Sequence, residues 1–229
     1  MHKYQGEELE LFEQATVWKS YFSSKVKKYI HGNVLEVGAG IGTNTKYLHT
    51  ADATSWTYVE PDADLVAAIR KNISDIDVPQ KIIVGTIEEI TKEKFDTIIY
   101  IDVLEHISDS RKEIIKIGNM LRRGGHLIIL VPAFQFLYSA YDVGLGHYRR
   151  YNKRLLRNEV NDILKGKELY YLDSCGWFAS LINKIMLNKP KINRSQVLFW
   201  DRILMRISKI SDIVTFNKFG KSLIGVWEK

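Results

Sequence analysis

Between residues 33 and 131, five short apolar runs alternate with segments patterned as helices. The runs are 33–37, 55–60, 81–84, 95–101 and 124–131; the helical segments are 43–50, 62–72 and 108–121. Strands that stay apolar along their length are buried on both faces, and helices between them demand a parallel sheet with right-handed crossovers. The pattern then changes. Residues 152–164 read as a helix with Leu155, Leu156, Val160, Ile163 and Leu164 on one stripe. Runs 168–172 and 222–227 supply a sixth and a seventh strand, and the aromatic, basic stretch 175–220 between them is too long for a plain loop. It reads as an inserted helical subdomain or cap on an α/β domain.

A chain of 229 residues can bury a core without staples. Its lone Cys175 excludes a disulfide framework and a thiolate cluster, and its six scattered histidines show no metal-ligand spacing, so no metal is expected. Charge is uneven: residues 1–141 carry a net −3 and residues 142–229 a net +9. The basic half faces an anionic partner or membrane surface, or is a solvated basic face. The N-terminal stretch is acidic and has no apolar signal core. The longest run without Lys, Arg, Asp or Glu, 124–141, contains Pro132 and reads as a strand and loop rather than a span. A cytoplasmic protein is expected.

The sharpest local signal is the glycine-rich turn after the first strand. Gly38, Gly40 and Gly42 follow an apolar run and open a helix. Glycine there permits a tight turn and close backbone approach to a ligand. Glu60 ends the next strand, 22 residues after Gly38, where an acid accepts hydrogen bonds from both ribose hydroxyls of a nucleoside. Glu36 lies inside the first strand, where an unpaired carboxylate is costly and a cationic or hydrogen-bonding ligand group relieves it. Carboxylates beside the loop suit a cationic amino-acid head and a sulfonium better than a pyrophosphate.

With these residues the chain resembles the class I S-adenosylmethionine-dependent methyltransferases, in motif order over roughly residues 34–131. The resemblance implies a Rossmann-like seven-stranded, mostly parallel sheet with helices on both faces, the last strand antiparallel and the helical insert between strands six and seven. It implies one methyltransferase domain over 1–229: an N-terminal helical segment (1–32), a cofactor-binding core (33–131) and an acceptor-side region (132–229) holding the insert at about 175–220. S-adenosyl-L-methionine is the implied cofactor. Its contacts would come from Glu36, Gly38, Ala39, Gly40 and Gly42, from Glu60 and Pro61, from Thr86, Ile87 and Glu88 around the adenine, and from Asp102 and Val103 beside the methionine moiety. Thr86 stands where many members carry an acid, which leaves the backbone at Ile87, or Glu88, to meet the adenine amino group.

Methyl transfer from a sulfonium needs alignment and exclusion of water, and an oxygen or nitrogen acceptor must also lose a proton. The candidate catalytic residues are His106 after the fourth strand and Asp142, His147 and Arg149 after the fifth. Arg149 and Arg150 suit an acceptor bearing hydroxyls and phosphate, or they pair with helix carboxylates. The block 147–151, with 196–202 and 219–225, resembles methyltransferases associated with polysaccharide biosynthesis and glycosyl transfer. O-methylation of a sugar hydroxyl on a small-molecule or glycan acceptor, free or lipid-linked, is the first expectation. Methylation of a quinone or lipid precursor is the second. A nucleic-acid methyltransferase and a non-catalytic cofactor-binding protein follow, and no RNA-binding module is recognisable. In the insert, Trp177, Phe178, Leu181, Ile182, Ile185, Met186 and Leu187 lie among Lys184, Lys189, Lys191 and Arg194, a composition for a membrane surface or for a cap packed on the sheet. The oligomeric state is not legible.

Overall fold

The computed structural model of the chain describes residues 6–187 and 192–229; Lys189 and Lys191 lie outside them. Seven strands form one sheet: β1 (Gly32–Val37), β2 (Ala53–Glu60), β3 (Gln80–Val84), β4 (Phe95–Ile101), β5 (Leu121–Pro132), β6 (Lys165–Leu172) and β7 (Ser222–Glu228), in the order β3-β2-β1-β4-β5-β7-β6. The β1–β2, β2–β3, β1–β4 and β4–β5 pairs are parallel, and β7 runs antiparallel to both β5 and β6. The chain turns from one half of the sheet to the other between β1 and β4. That switch opens a crevice at the carboxyl ends of these strands.

Side chains alternate across the strands, so each feeds two cores. In β5, Ile128 and Leu130 join Trp18, Phe22, Trp56, Tyr58 and Ile69 on one face. Leu127, Ile129 and Val131 join Leu35, Ile98, Tyr100, Ile114, Leu156 and Trp227 on the other. The first face is covered by α2 (Thr16–Val26) and α4 (Ala63–Asn72), the second by α5 (Ser110–Met120) and α7 (Lys153–Val160). Asp62, Asp109 and Asn152 cap α4, α5 and α7 through side-chain oxygens. The helix expected over 43–50 shrinks to α3 (Thr45–Leu48), because Thr43 and Thr45 use their hydroxyls on Lys19 and Glu36. The strand expected to open at residue 168 begins at Lys165, across a bulge between Gly166 and Glu168.

The insert between β6 and β7 is helical. It opens with α8 (Ser174–Ile182), which runs into a π-helical turn, Asn183–Leu187. Next come α9 (Arg194–Phe199), a second π-turn (Trp200–Leu204) and α10 (Met205–Val214), continuous as one helix. This long helix is inverted. Val197, Asp201, Met205, Ser208 and Asp212 are buried, while Phe199, Ile203, Ile207, Ile210 and Val214 face solvent. The buried carboxylates fasten it to the domain. Asp201 accepts the Val17 and Trp18 amides at the start of α2, and Asp212 accepts the Tyr21 hydroxyl and the Asp173 and Ser174 amides. At the N-terminus, α1 (Gly6–Glu13) lies near the glycine turn and the insert: Leu9 is the neighbour of Gly40, and Phe12 meets Trp200 edge-on with ring centroids 6.0 Å apart.

Candidate active site

Gly38, Gly40 and Gly42 have φ of +64°, +58° and +77°, a region that side chains disfavour. Space is also limited. A Cβ on Gly38 would meet Val103 at 2.5 Å, and one on Gly42 would press on Ile69 and Ile73 of α4 at 3.2–3.4 Å. The turn is pinned to β2 by the Gly38 and Ala39 amides, which donate to the Val59 carbonyl. Ala39 is buried under the turn, and Pro61 is exposed beyond β2.

Glu60 ends β2 with its carboxylate against this turn. One oxygen accepts the Gly40 amide at 2.7 Å and the other the Asp62 amide at 3.0 Å. Burial pushes its pKa up, while those two amides pull it down. A carboxylate has about four acceptor sites, so two remain for a vicinal diol. The side-chain-free turn and this half-used carboxylate fit the nucleoside end of S-adenosylmethionine, and Asp102 across the crevice is an acid suited to its cationic methionine end.

Glu36 departs from the expectation. It is buried, but the protein satisfies it: Oε2 accepts the Thr45 hydroxyl at 2.8 Å and the Trp56 indole N–H at 3.0 Å. Burial still raises its pKa to about 7, although these donors and the charge of Lys19 pull downwards. Lys19, itself brought to about 8 by burial, donates to Thr43. No ligand is needed to relieve Glu36. In the loop after β3, Thr86 caps a 3-10 turn through the Glu88 amide, Ile87 is buried in the core, and Glu88 pairs with Lys116 of α5.

At the tip of β4, Asp102 adopts a left-handed φ of +53° and Val103 packs over Gly38. Asp102 is accessible to solvent yet surrounded by protein, as a residue in a cleft wall is. That surround raises its pKa to about 6, opposed by the charges of His147 and Lys221. A 3-10 turn, Leu104–His106, then buries Glu105 completely. After β5, a capping box of Ser139 and Asp142 starts α6 (Ala140–Leu145). Gly146, left-handed at φ +76°, ends it and turns the chain back at His147.

Asp142 is the hub of this loop. It accepts Arg150 bidentately at 2.7 and 2.9 Å and His147 Nδ1 at 3.0 Å. Burial would raise its pKa, but the bonds from His147 and Arg150 win and hold it at about 2. An ionised Asp142 can only accept, so His147 Nδ1 donates to it, and His147 Nε2 lies 3.9 Å from Glu105 Oε1. The His106 and His147 rings meet edge-on at 4.6 Å, and burial, then His147, lowers the pKa of His106 to about 4.

Both arginines are engaged by the protein, which corrects the reading of them as phosphate ligands. Arg149 donates to the Ile107 and Ser108 carbonyls and to Ser110 Oγ at 3.0, 2.6 and 2.8 Å, clamping the loop after β4. Arg150 is held by Asp142.

Sequence reasoning missed Lys221. Because β7 is antiparallel, its first residues lie at the edge where the parallel strands end. Lys221 stands there over the Trp200 ring at 4.4 Å and the Phe12 ring at 5.9 Å. Burial lowers its pKa, and the charges of Asp173, Asp102 and Asp142 oppose that fall. The block 219–225 contains it, but nothing in that block distinguishes this lysine as a site residue.

The comparisons agree with this geometry. The sequence matches the family described as Methyltransferase domain over residues 11–173. No curated protein matches the sequence. Among solved structures the chain is similar to the N-methyltransferase NodS of Bradyrhizobium japonicum, at 15% identity and TM-score 0.59, covering 95% of this chain and 96% of that one. It is also similar to a putative methyltransferase of Bacillus halodurans, at 12% identity and TM-score 0.62, covering 92% and 98%. NodS in complex with S-adenosyl-L-homocysteine matches at 13% identity and TM-score 0.57, covering 100% of this chain and 89% of that one. The chain belongs to the methyltransferase-domain family and is an S-adenosylmethionine-dependent methyltransferase.

Proposed function

We propose that the enzyme methylates a hydroxyl on a small-molecule or glycan acceptor presented at a lipid surface, with a lipid-linked sugar as the first candidate. One observation carries the lipid part: the inverted helix of the insert. A helix that buries Asp201, Ser208 and Asp212 and exposes Phe199, Ile203, Ile207, Ile210 and Val214 reverses the usual arrangement of a soluble surface. Phe178, Ile182 and Ile185 of the neighbouring helical segment are exposed as well. Arg202, Arg206 and Lys209 are interspersed along the long helix. Apolar side chains ringed by cations suit an anionic bilayer surface. No helix among the described residues is long and apolar enough to cross a membrane.

In this reading the chain acts as one domain, with residues 33–131 binding the cofactor and residues 132–229 binding the acceptor. S-adenosylmethionine supplies an electrophilic methyl on a good leaving group. Glu60 and the turn of Gly38, Gly40 and Gly42 orient the nucleoside, and Asp102 and Val103 border the methionine end. The acceptor oxygen approaches the methyl carbon in line with the departing sulfur. The polar cluster of Asp102, Glu105, His106 and His147, steadied by Asp142, receives the acceptor's proton. Resemblance of the 147–151, 196–202 and 219–225 blocks to polysaccharide-associated methyltransferases supports the sugar.

Flotation with vesicles of phosphatidylglycerol and phosphatidylcholine tests the surface. The wild type is expected to float with anionic vesicles and the Ile207→Glu, Ile210→Glu double variant to stay behind, both keeping S-adenosylhomocysteine binding. Equal flotation of the two, or none by either, overturns the lipid-surface reading. A quinone or lipid-precursor acceptor would keep flotation and lose turnover on sugars.

A further inference from the structure

Glu105, His106 and His147 place one donor atom each within 4.8 Å of one another. Glu105 is fully buried, and neither of its carboxylate oxygens has a hydrogen-bond partner among the described residues. His147 gives Nδ1 to Asp142 and turns Nε2 towards Glu105 Oε1 at 3.9 Å. A fully buried carboxylate whose oxygens have no hydrogen-bond partner calls for a positive charge beside it, and the two imidazole donors converge on the same point.

We propose that Glu105, His106 and His147 bind a divalent transition-metal cation, of the zinc, manganese or cobalt class. Two imidazoles and one carboxylate are a donor set for such ions rather than for magnesium or calcium, which prefer all-oxygen shells. Metal bonds of about 2.1 Å set donors roughly 3–3.5 Å apart, so the cluster closes on the ion with shifts of about 1 Å. Asp142 already supplies the supporting carboxylate that fixes the tautomer and ring orientation of a ligating histidine. Three protein donors leave coordination positions open. The cluster is thus a metal centre at the end of β4, beside Asp102 in the crevice wall. The chemical use of the ion rests on the methyl-transfer reading: with Glu105, His106 and His147 serving as ligands, an acceptor hydroxyl in an open position would be made more acidic and would give its proton to Asp102, the remaining member of the proton-receiving cluster, before its oxygen meets the methyl carbon.

The test is cobalt binding to the full chain after treatment with a chelator, read by equilibrium dialysis and visible ligand-field absorption, with no methyl donor present. The proposal expects about one Co²⁺ per chain. It expects affinity at least about tenfold weaker in Glu105→Gln and in His147→Gln, and both variants should still be stabilised thermally by S-adenosylhomocysteine. Glu105→Gln preserves shape and removes a buried charge, so it guards against loss of fold. Absence of cobalt binding, or equal binding by Glu105→Gln, overturns the site and leaves a shared proton as the cluster's occupant. Failure of S-adenosylhomocysteine to stabilise the wild type would instead strike the methyl-transfer reading and leave the cobalt result standing.

Discussion

Replacing Glu60 by alanine tests the cofactor site at its most informative atom pair. The carboxylate holds the glycine turn through the Gly40 and Asp62 amides and keeps two acceptor sites for the ribose diol. Hydrogen bonds to a charged acceptor contribute about 1.5–3 kcal/mol each. Losing both ribose bonds therefore costs about 3–6 kcal/mol of binding, a fall in affinity of at least about 100-fold at 1.4 kcal/mol per decade. The effect on folding is smaller, because relief of a buried charge offsets the two amides left without their acceptor. Isothermal titration with S-adenosylhomocysteine measures the affinity, and a melt checks that the variant is folded. A folded variant whose affinity stays within about threefold of wild type would show that the diol does not sit on Glu60.

Two further outcomes follow from side chains the protein has engaged internally. Glu36 has a folded pKa near 7, above its ordinary 4.5, so the native state binds the extra proton. Its stabilising contribution is complete below about 4.5 and is lost as pH rises through 7, a change on the order of 3 kcal/mol. Glu36→Gln, which can still accept from Thr45 and Trp56, should flatten the dependence of Tm on pH between 5 and 8; an unchanged slope would refute the assignment. Arg149→Ala should lower stability by about 2 kcal/mol, because it releases the clamp on Ile107, Ser108 and Ser110, and kcat should fall with the disordered loop. A raised KM for acceptor at unchanged Tm would place Arg149 on the substrate instead.

The sheet was legible because burial on both faces writes itself into every residue of a strand, and the glycine turn and Glu60 were legible because their geometry is local. The structure departs from the sequence reading where the partner is distant. Glu36 looked costly until Trp56 and Thr45 came to it. Arg149 and Arg150 looked available until the loops after β4 and β5 closed on them. The histidines looked scattered because His106 and His147 are 41 positions apart and meet only when those loops stack. In the insert, periodicity finds two faces on a helix but not which one turns inward. Only the amides and hydroxyls waiting at Val17, Trp18 and Tyr21 explain why Asp201 and Asp212 took the inner side.

One short N-terminal segment leans on two neighbours at once. Leu9 rests where a side chain at Gly40 would meet it at 3.3 Å, Phe12 abuts Trp200, and Gln14 just beyond accepts Arg194. A nucleoside seated at the turn would share Leu9 with the strut that props the insert, so the two ends of the crevice rest on one support. Trimming residues 6–14 should therefore weaken the grip on the nucleoside and loosen the insert together.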